Sequence, residues 1–263
     1  MCCDDGIIEF TLRKCNWSLI MAWPFGSICR ASLTSVCLLS TLVYGQMTHS
    51  GESASGLVEQ FKTSTLSWKQ FDVAKKIVAL GDRRVLPDLE PWLTNEDRHR
   101  RGNAAFIFGR LGDDRGFQVI RAILEDYSTK RAVFTMGSIG GPNPELEIRQ
   151  DRWYAVYLFG FLNDSRAVPI LVPLLKDKDV KEIVPWSLGQ IGDKAAIPPL
   201  IEILEDRSPN MRLAAIRALE QLDAKQALPK LHALLNDEFT YFDLSVPVAA
   251  AAQRAIIKLE RKP

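Results

Sequence analysis

The stretch Gly81-Asp-Arg-Arg-Val-Leu-Pro-Asp-Leu decides how this chain folds, because its pattern returns four times without gaps. The copies are Gly112-Asp-Asp-Arg-Gly-Phe-Gln-Val-Ile, Asn163-Asp-Ser-Arg-Ala-Val-Pro-Ile-Leu, Gly192-Asp-Lys-Ala-Ala-Ile-Pro-Pro-Leu and Asp223-Ala-Lys-Gln-Ala-Leu-Pro-Lys-Leu. Their starts lie 31, 51, 29 and 31 residues apart. A unit near 30 residues therefore repeats, with one insertion of about 20 after the second start.

Each copy reads as the connector between two helices. Gly81, Gly112 and Gly192, with Asn163 in the same column, tolerate the left-handed backbone that ends a helix. The Asp that usually follows can cap the next helix. Pro87, Pro169, Pro198 and Pro229 fall early in that helix, where a missing N–H costs least. A second proline four residues on, Pro91 or Pro173, is expected to bend the first helix of two pairs.

Working outward, the second helices share columns of their own: Arg101-Gly-Asn-Ala-Ala-Phe-Ile-Phe-Gly, Arg152-Trp-Tyr-Ala-Val-Tyr-Leu-Phe-Gly, Lys181-Glu-Ile-Val-Pro-Trp-Ser-Leu-Gly and Arg212-Leu-Ala-Ala-Ile-Arg-Ala-Leu-Glu. Small apolar residues at the third and fourth steps and large ones at the seventh and tenth make one buried stripe at helical spacing. Gln70–Leu80 is a weaker copy, and Val248–Leu259 closes the array. Pro185 predicts either a helix that starts late, near Ile183, or a kink beside Trp186; the late start is the simpler account. One such pair cannot bury its apolar face alone, and stacking solves that. The expected fold is all-α, a right-handed α-solenoid of about five stacked helix pairs.

Over roughly Leu66–Leu259 the units resemble short HEAT-like repeats of the bilin-lyase type; Leu200-Ile-Glu-Ile-Leu-Glu-Asp and Met211-Arg-Leu-Ala-Ala-Ile-Arg-Ala-Leu carry the closest match. The resemblance implies the fold and leaves the function open, since such repeats serve lyases, hydroxylases and scaffolds alike.

The expected organisation is a leader over 1–45, a flexible Ser/Gly-rich linker over 46–60 and the solenoid over 61–263, with an insertion at about 127–149. Within the leader, translation starting at Met21 places Arg30 before an apolar run from Ala31 to Tyr44, too short to span a bilayer. Val43-Tyr44-Gly45 offers a cleavage site before Gln46. The expectation is a bacterial-type signal peptide, an exported (periplasmic or secreted) chain and no stable membrane insertion after cleavage. All five cysteines lie in the first 37 residues, so thiol chemistry would leave with the leader.

Formal net charge is +1, from 33 basic and 32 acidic residues, without the basic excess that nucleic-acid binding draws on. Among the three histidines, His49, His99 and His232, none sits in a His-Glu dipeptide, the pair that the resemblance implies for iron-dependent hydroxylases of this repeat class. No nucleophile or metal-protease motif is present. No metal, cofactor or catalytic residue is expected, and oxidoreductase chemistry is disfavoured.

What remains is a surface. The basic column Arg101, Arg152, Lys181 and Arg212 reads as a ladder with acids between the helices, such as Asp97, Asp177 and Asp206, rather than as an anion track. Five residues on stand Lys75, Phe106, Tyr157, Trp186 and Arg217, a column that the resemblance places on the concave surface, flanked by Trp153, Arg110 and Gln190. Aromatic and Arg clusters mark partner-binding surfaces. Phe106, Arg110, Trp153, Tyr157, Trp186, Gln190 and Arg217 are therefore the expected partner-binding residues, the alternative being that the rings pack against neighbouring repeats. The insertion, with Phe134-Thr-Met-Gly-Ser-Ile-Gly-Gly-Pro-Asn-Pro, reads equally as a flap over the groove or a solvated loop. The function expected is a protein- or peptide-binding scaffold. A bilin-lyase-like enzyme, or an accessory subunit to one, is the alternative.

The leader generates the first prediction. N-terminal sequencing of protein taken from its native cells should find Gln46 or a close neighbour first; an intact Met1 or Met21 in the cytoplasmic fraction would refute export.

Overall fold

The computed structural model describes residues 53–128, 143–237 and 247–261. The leader, the start of the linker up to residue 52, and residues 129–142 of the insertion lie outside the described residues. Among those described there are twelve α-helices and no strand, arranged as six pairs. The pairs are α1 (Ala54–Thr63) with α2 (Ser67–Leu80), α3 (Leu86–Leu89) with α4 (Arg98–Arg110), and α5 (Asp114–Glu125) with α6 (Pro144–Leu162). They continue as α7 (Val168–Leu171) with α8 (Val184–Ile191), α9 (Ile197–Ile203) with α10 (Pro209–Gln221), and α11 (Leu228–Ala233) with α12 (Val248–Arg261). The second helices form one continuous layer, each packing on the next from α2 through α4, α6, α8 and α10 to α12.

Two expected boundaries need correction. Residues 54–60 are not linker, because Leu57, Val58 and Phe61 share one helical face and are 2%, 2% and 0% exposed. The Ser53 hydroxyl caps this helix by accepting from the Gly56 amide at 3.0 Å. The Ser/Gly composition concealed three apolar residues at helical spacing, and with them a sixth pair. The insertion is likewise shorter than expected: Asn143 caps α6 by accepting from the Glu145 and Leu146 amides, so 144–149 are already helix.

The connectors form as their residues dictate. Gly81, Gly112 and Gly192 take φ of 67°, 81° and 76°, and Asn163 and Asp223 fill the same column at 57° and 52°. Asp82, Asp113, Asp164 and Asp193 each cap the following turn by accepting from the amide two residues on. Where Pro91 and Pro173 follow, the first helix gives way to 3-10 turns over Glu90–Thr94 and Val172–Lys176. Without that proline, α9 stays α-helical for 7 residues. Pro185 is the second residue of α8, after Ile183, so the helix starts late and has no kink to explain.

Buried guanidinium groups cross from one repeat to the next. Arg152 is 1% exposed; its Nη2 donates to Asp177 Oδ2 at 2.6 Å, its Nε to the Leu124 carbonyl at 3.2 Å, and its guanidinium lies 4.6 Å from the Tyr127 ring. Arg212 donates to Asp237 at 2.8 Å and to the Asp206 carbonyl at 2.8 Å. In the second pair the role falls one turn earlier than the columns implied. Arg98, not Arg101, bridges Asp126 at 2.7 Å and Asp151 at 2.8 Å. Arg101 donates instead to the Asn95 carbonyl, and burial, followed by the neighbouring Arg98 charge, lowers its pKa. Burial pushes the Asp126 carboxyl up, but the Ser128 hydroxyl and amide, then Arg98, outweigh it and hold it at about 2. At the crossing of α4 and α5 the backbones themselves touch: a Cβ on Gly116 would sit 2.2 Å from the Gly109 nitrogen.

Two predictions follow from the ladder. Arg152→Ala should cost about 2–4 kcal/mol in urea unfolding, since it removes a buried guanidinium and its bonds to both neighbouring repeats and leaves the part-buried Asp177 carboxylate unpaired, whereas Arg84→Ala, at a guanidinium 91% exposed, should cost under about 1 kcal/mol. Equal costs would refute the ladder. Asp126 is held below its unfolded value, so its contribution is full above about pH 4 and fades as pH falls towards 2. Wild type should exceed Asp126→Asn by about 1–2 kcal/mol at pH 6, allowing for solvent screening, and the gap should close by pH 2. A gap independent of pH would refute the assignment.

Candidate functional site

The second-helix layer gathers rings from four helices on one face. Phe71 of α2 meets Phe106 of α4 at 5.1 Å between centroids, and also reaches Phe161 at 5.3 Å and Tyr157 at 5.9 Å on α6. Rings of α2 and α6 touch across the intervening α4 only where the layer bends towards them, so this face is concave.

Tyr157 is the centre of a three-ring stack. Its centroid lies 5.0 Å from that of Trp186 on α8 and 5.5 Å from that of Trp153, with 16° between planes in both pairs. Phe161 stands edge-on to Tyr157 at 4.8 Å. Such pairs add about 0.5–1.5 kcal/mol each beyond the area they bury. Gly160 makes room for the Trp186 ring, which a Cβ there would approach to 2.8 Å. Tyr157 and Trp186 are half-buried, and Trp153 is 40% exposed.

A buried polar chain sets the position of the rings from below. Gln70 Nε2 donates to the Phe61 carbonyl at 3.0 Å, Asn103 Nδ2 donates to Gln70 Oε1 at 3.0 Å and to the Ser67 carbonyl at 2.9 Å, and the Tyr154 hydroxyl donates to Asn103 Oδ1. Gln70 and Asn103 are 0% exposed, so each must find partners inside the protein. Burial first, then the neighbouring Tyr157, raises the Tyr154 phenol above its usual range, keeping it a neutral donor. The chain thereby links α1, α2, α4 and α6.

Beside Trp153 an open pocket of about 490 Å³ is lined by His99, Arg149, Trp153, Tyr154, Lys178 and Glu182 among others. His99 packs against Tyr154 at 4.6 Å with 38° between the planes, and its Nδ1 lies 3.3 Å from Asp151. Arg149 and Lys178 form no ion pair among the described residues. Those residues also hold no group of three or more His, Cys, Asp or Glu placed to bind a metal, and no helix long and apolar enough to cross a membrane.

Of the residues predicted from sequence, Trp153, Tyr157 and Trp186 come together. Phe106 does not present a surface: it is 3% exposed under Phe71 and Phe161, which corrects its assignment to partner contact. Arg110, Gln190 and Arg217 are exposed, and Arg110 reaches back to the Leu162 carbonyl at 3.4 Å. Phe71, Tyr154 and His99 were missed. Phe71 was within reach, one helical turn before Lys75 and so on the same face of α2. Tyr154 and His99 join the site only through contacts between helices.

Residues 148–206 and 177–244 match the HEAT repeats family. A relative described as an uncharacterized phycocyanin operon protein Y, from Pseudanabaena tenuis, is 30% identical over 156 residues, 58% of this chain and 36% of its own length. The chain thus spans about a third of that relative. The solved complex of CpcE and CpcF of phycocyanin lyase from a Nostoc species is 18% identical and covers 88% of this chain and 91% of its own, with a TM-score of 0.38. An engineered protein, also 18% identical, covers 79% of this chain and 96% of its own, with a TM-score of 0.36. The HEAT-repeat match thus covers most of α6 and all of α7 to α11, one stretch of the continuous α-solenoid.

Proposed function

We propose that this chain is a scaffold that binds a protein or peptide partner on the aromatic concave face of its second helices. The observation that carries the reading is the Trp153–Tyr157–Trp186 stack, anchored below yet open to solvent at Trp153. Rings held by packing lose little freedom on binding, which is why aromatic anchors dominate interfaces. Should residues 1–45 act as the leader, the partner is met outside the cytoplasm.

A second reading draws on the resemblance of the repeats to the bilin-lyase type, together with the relative named a phycocyanin operon protein: a lyase, or an accessory subunit to one. It predicts visible absorbance that copurifies with the protein from its native host, whereas the scaffold reading predicts a protein partner and a colourless preparation.

The test pairs capture with stability. Trp186→Ala should weaken partner binding by at least about 2 kcal/mol, and lose from a native pull-down the partner that wild type retains. Because Trp186 is only half-buried, its truncation should cost the fold less than the about 3–5 kcal/mol typical of a core aromatic. A loss of stability in that upper range, with binding per folded molecule unchanged, would return the ring to packing.

A further inference from the structure

We propose that the pocket beside Trp153 is an anchor site for an aromatic side chain of the partner, flanked in the partner's sequence by carboxylates. The inference rests on the scaffold reading above and names the chemistry that its partner carries.

The stack supplies the aromatic half. Three rings lie in near-parallel order, Trp186, Tyr157, Trp153, and the last has one face on Tyr157 while it lines the pocket. A further ring laid in the pocket continues that order. His99 and Tyr154 form the side wall, packed on each other at a tilt of 38°. The volume, about 490 Å³, lies within the range of small-ligand sites and exceeds what one aromatic side chain fills, leaving room for the residues on either side.

Charge supplies the other half. Arg149 lies four residues before Trp153 on α6, one turn along the same face, and Lys178 faces it from the segment before α8. Both lack an ion-pair partner among the described residues. The carboxylates nearby are mostly committed: Asp179 lies 3.4 Å from Arg152, and Asp151 is held by Arg98 at 2.8 Å and by His99 at 3.3 Å. Glu182 is the one uncommitted acid lining the pocket. Two unpaired cations against one unpaired anion favour an acidic ligand, and an Arg beside an indole is suited to grip a carboxylate while the ring stacks.

The test uses capped pentapeptides and the full chain, with affinity read by isothermal titration. Gly-Glu-Phe-Asp-Gly should bind; replacing Phe by Leu, or both acids by Lys, should weaken binding by about tenfold or more, equivalent to about 1.4 kcal/mol. Trp153→Leu, which keeps apolar area and removes the ring, and Arg149→Gln should each weaken the acidic peptide by a similar factor. Glu182→Gln should strengthen it. Melting temperatures of these exposed-site variants serve as the folding control. Equal binding of the Lys peptide, indifference to Trp153→Leu, or no binding of the acidic peptide would each overturn the proposal. If the native partner is still lost with Trp186→Ala while the acidic peptide fails to bind, the pocket assignment alone falls; if neither responds, the scaffold reading falls with it.

Discussion

The stack of repeats depends on guanidinium groups that leave their own helix pair and bond to the next. Arg152 rises from α6, is almost wholly buried, and joins the end of α5 through the Leu124 carbonyl to Asp177, which closes the 3-10 turns after α7. A planar fork can serve a carbonyl and a carboxylate at fixed angles, which a flexible ammonium cannot. The Coulomb gain is largely offset by desolvation. What the link provides is register: an apolar interface alone tolerates sliding, and a buried charge tolerates only the position that satisfies it.

The link is not repeated identically. Arg98 performs it a turn earlier than Arg152, and Arg212 adds backbone carbonyls of its own repeat. At the corresponding step Lys181 is half-buried, and the Asp206 carboxylate accepts from the Ser208 amide instead. These differences coincide with the departures from an even repeat: the insertion before α6 in one case and the short α8 in the other.

A second buried network sets up the candidate site. Gln70, Asn103 and Tyr154 chain across the layer from α1 to α6, and because two of the three are sealed from water the geometry admits few alternatives. The same curvature that lets Phe71 reach α6 buries Phe106 and leaves Trp153 outermost. Rigidity below and exposure above are thus produced by one arrangement, and that combination separates a binding surface from a core.

The connectors determined a great deal by themselves. A residue tolerant of positive φ, a capping Asp and an early proline act within a few bonds of one another, so their column predicted the turns and the helix starts, and Pro185 in its own second helix predicted the late start there. The apolar stripe, also local, predicted stacking, and the aromatic column marked Tyr157 and Trp186. Helix α1 was legible too, in Leu57, Val58 and Phe61, but its Ser/Gly composition masked the spacing. Only the tertiary structure decided which arginine crosses each interface, that Phe106 is covered while Trp153 is open, and that His99 and Tyr154 share a pocket. Those outcomes depend on curvature and on distances between helices far apart in sequence, and column alignment carries neither: residues in one column share a face of their own helix, but whether that face meets solvent or a ring two helices away is settled by how the layer bends.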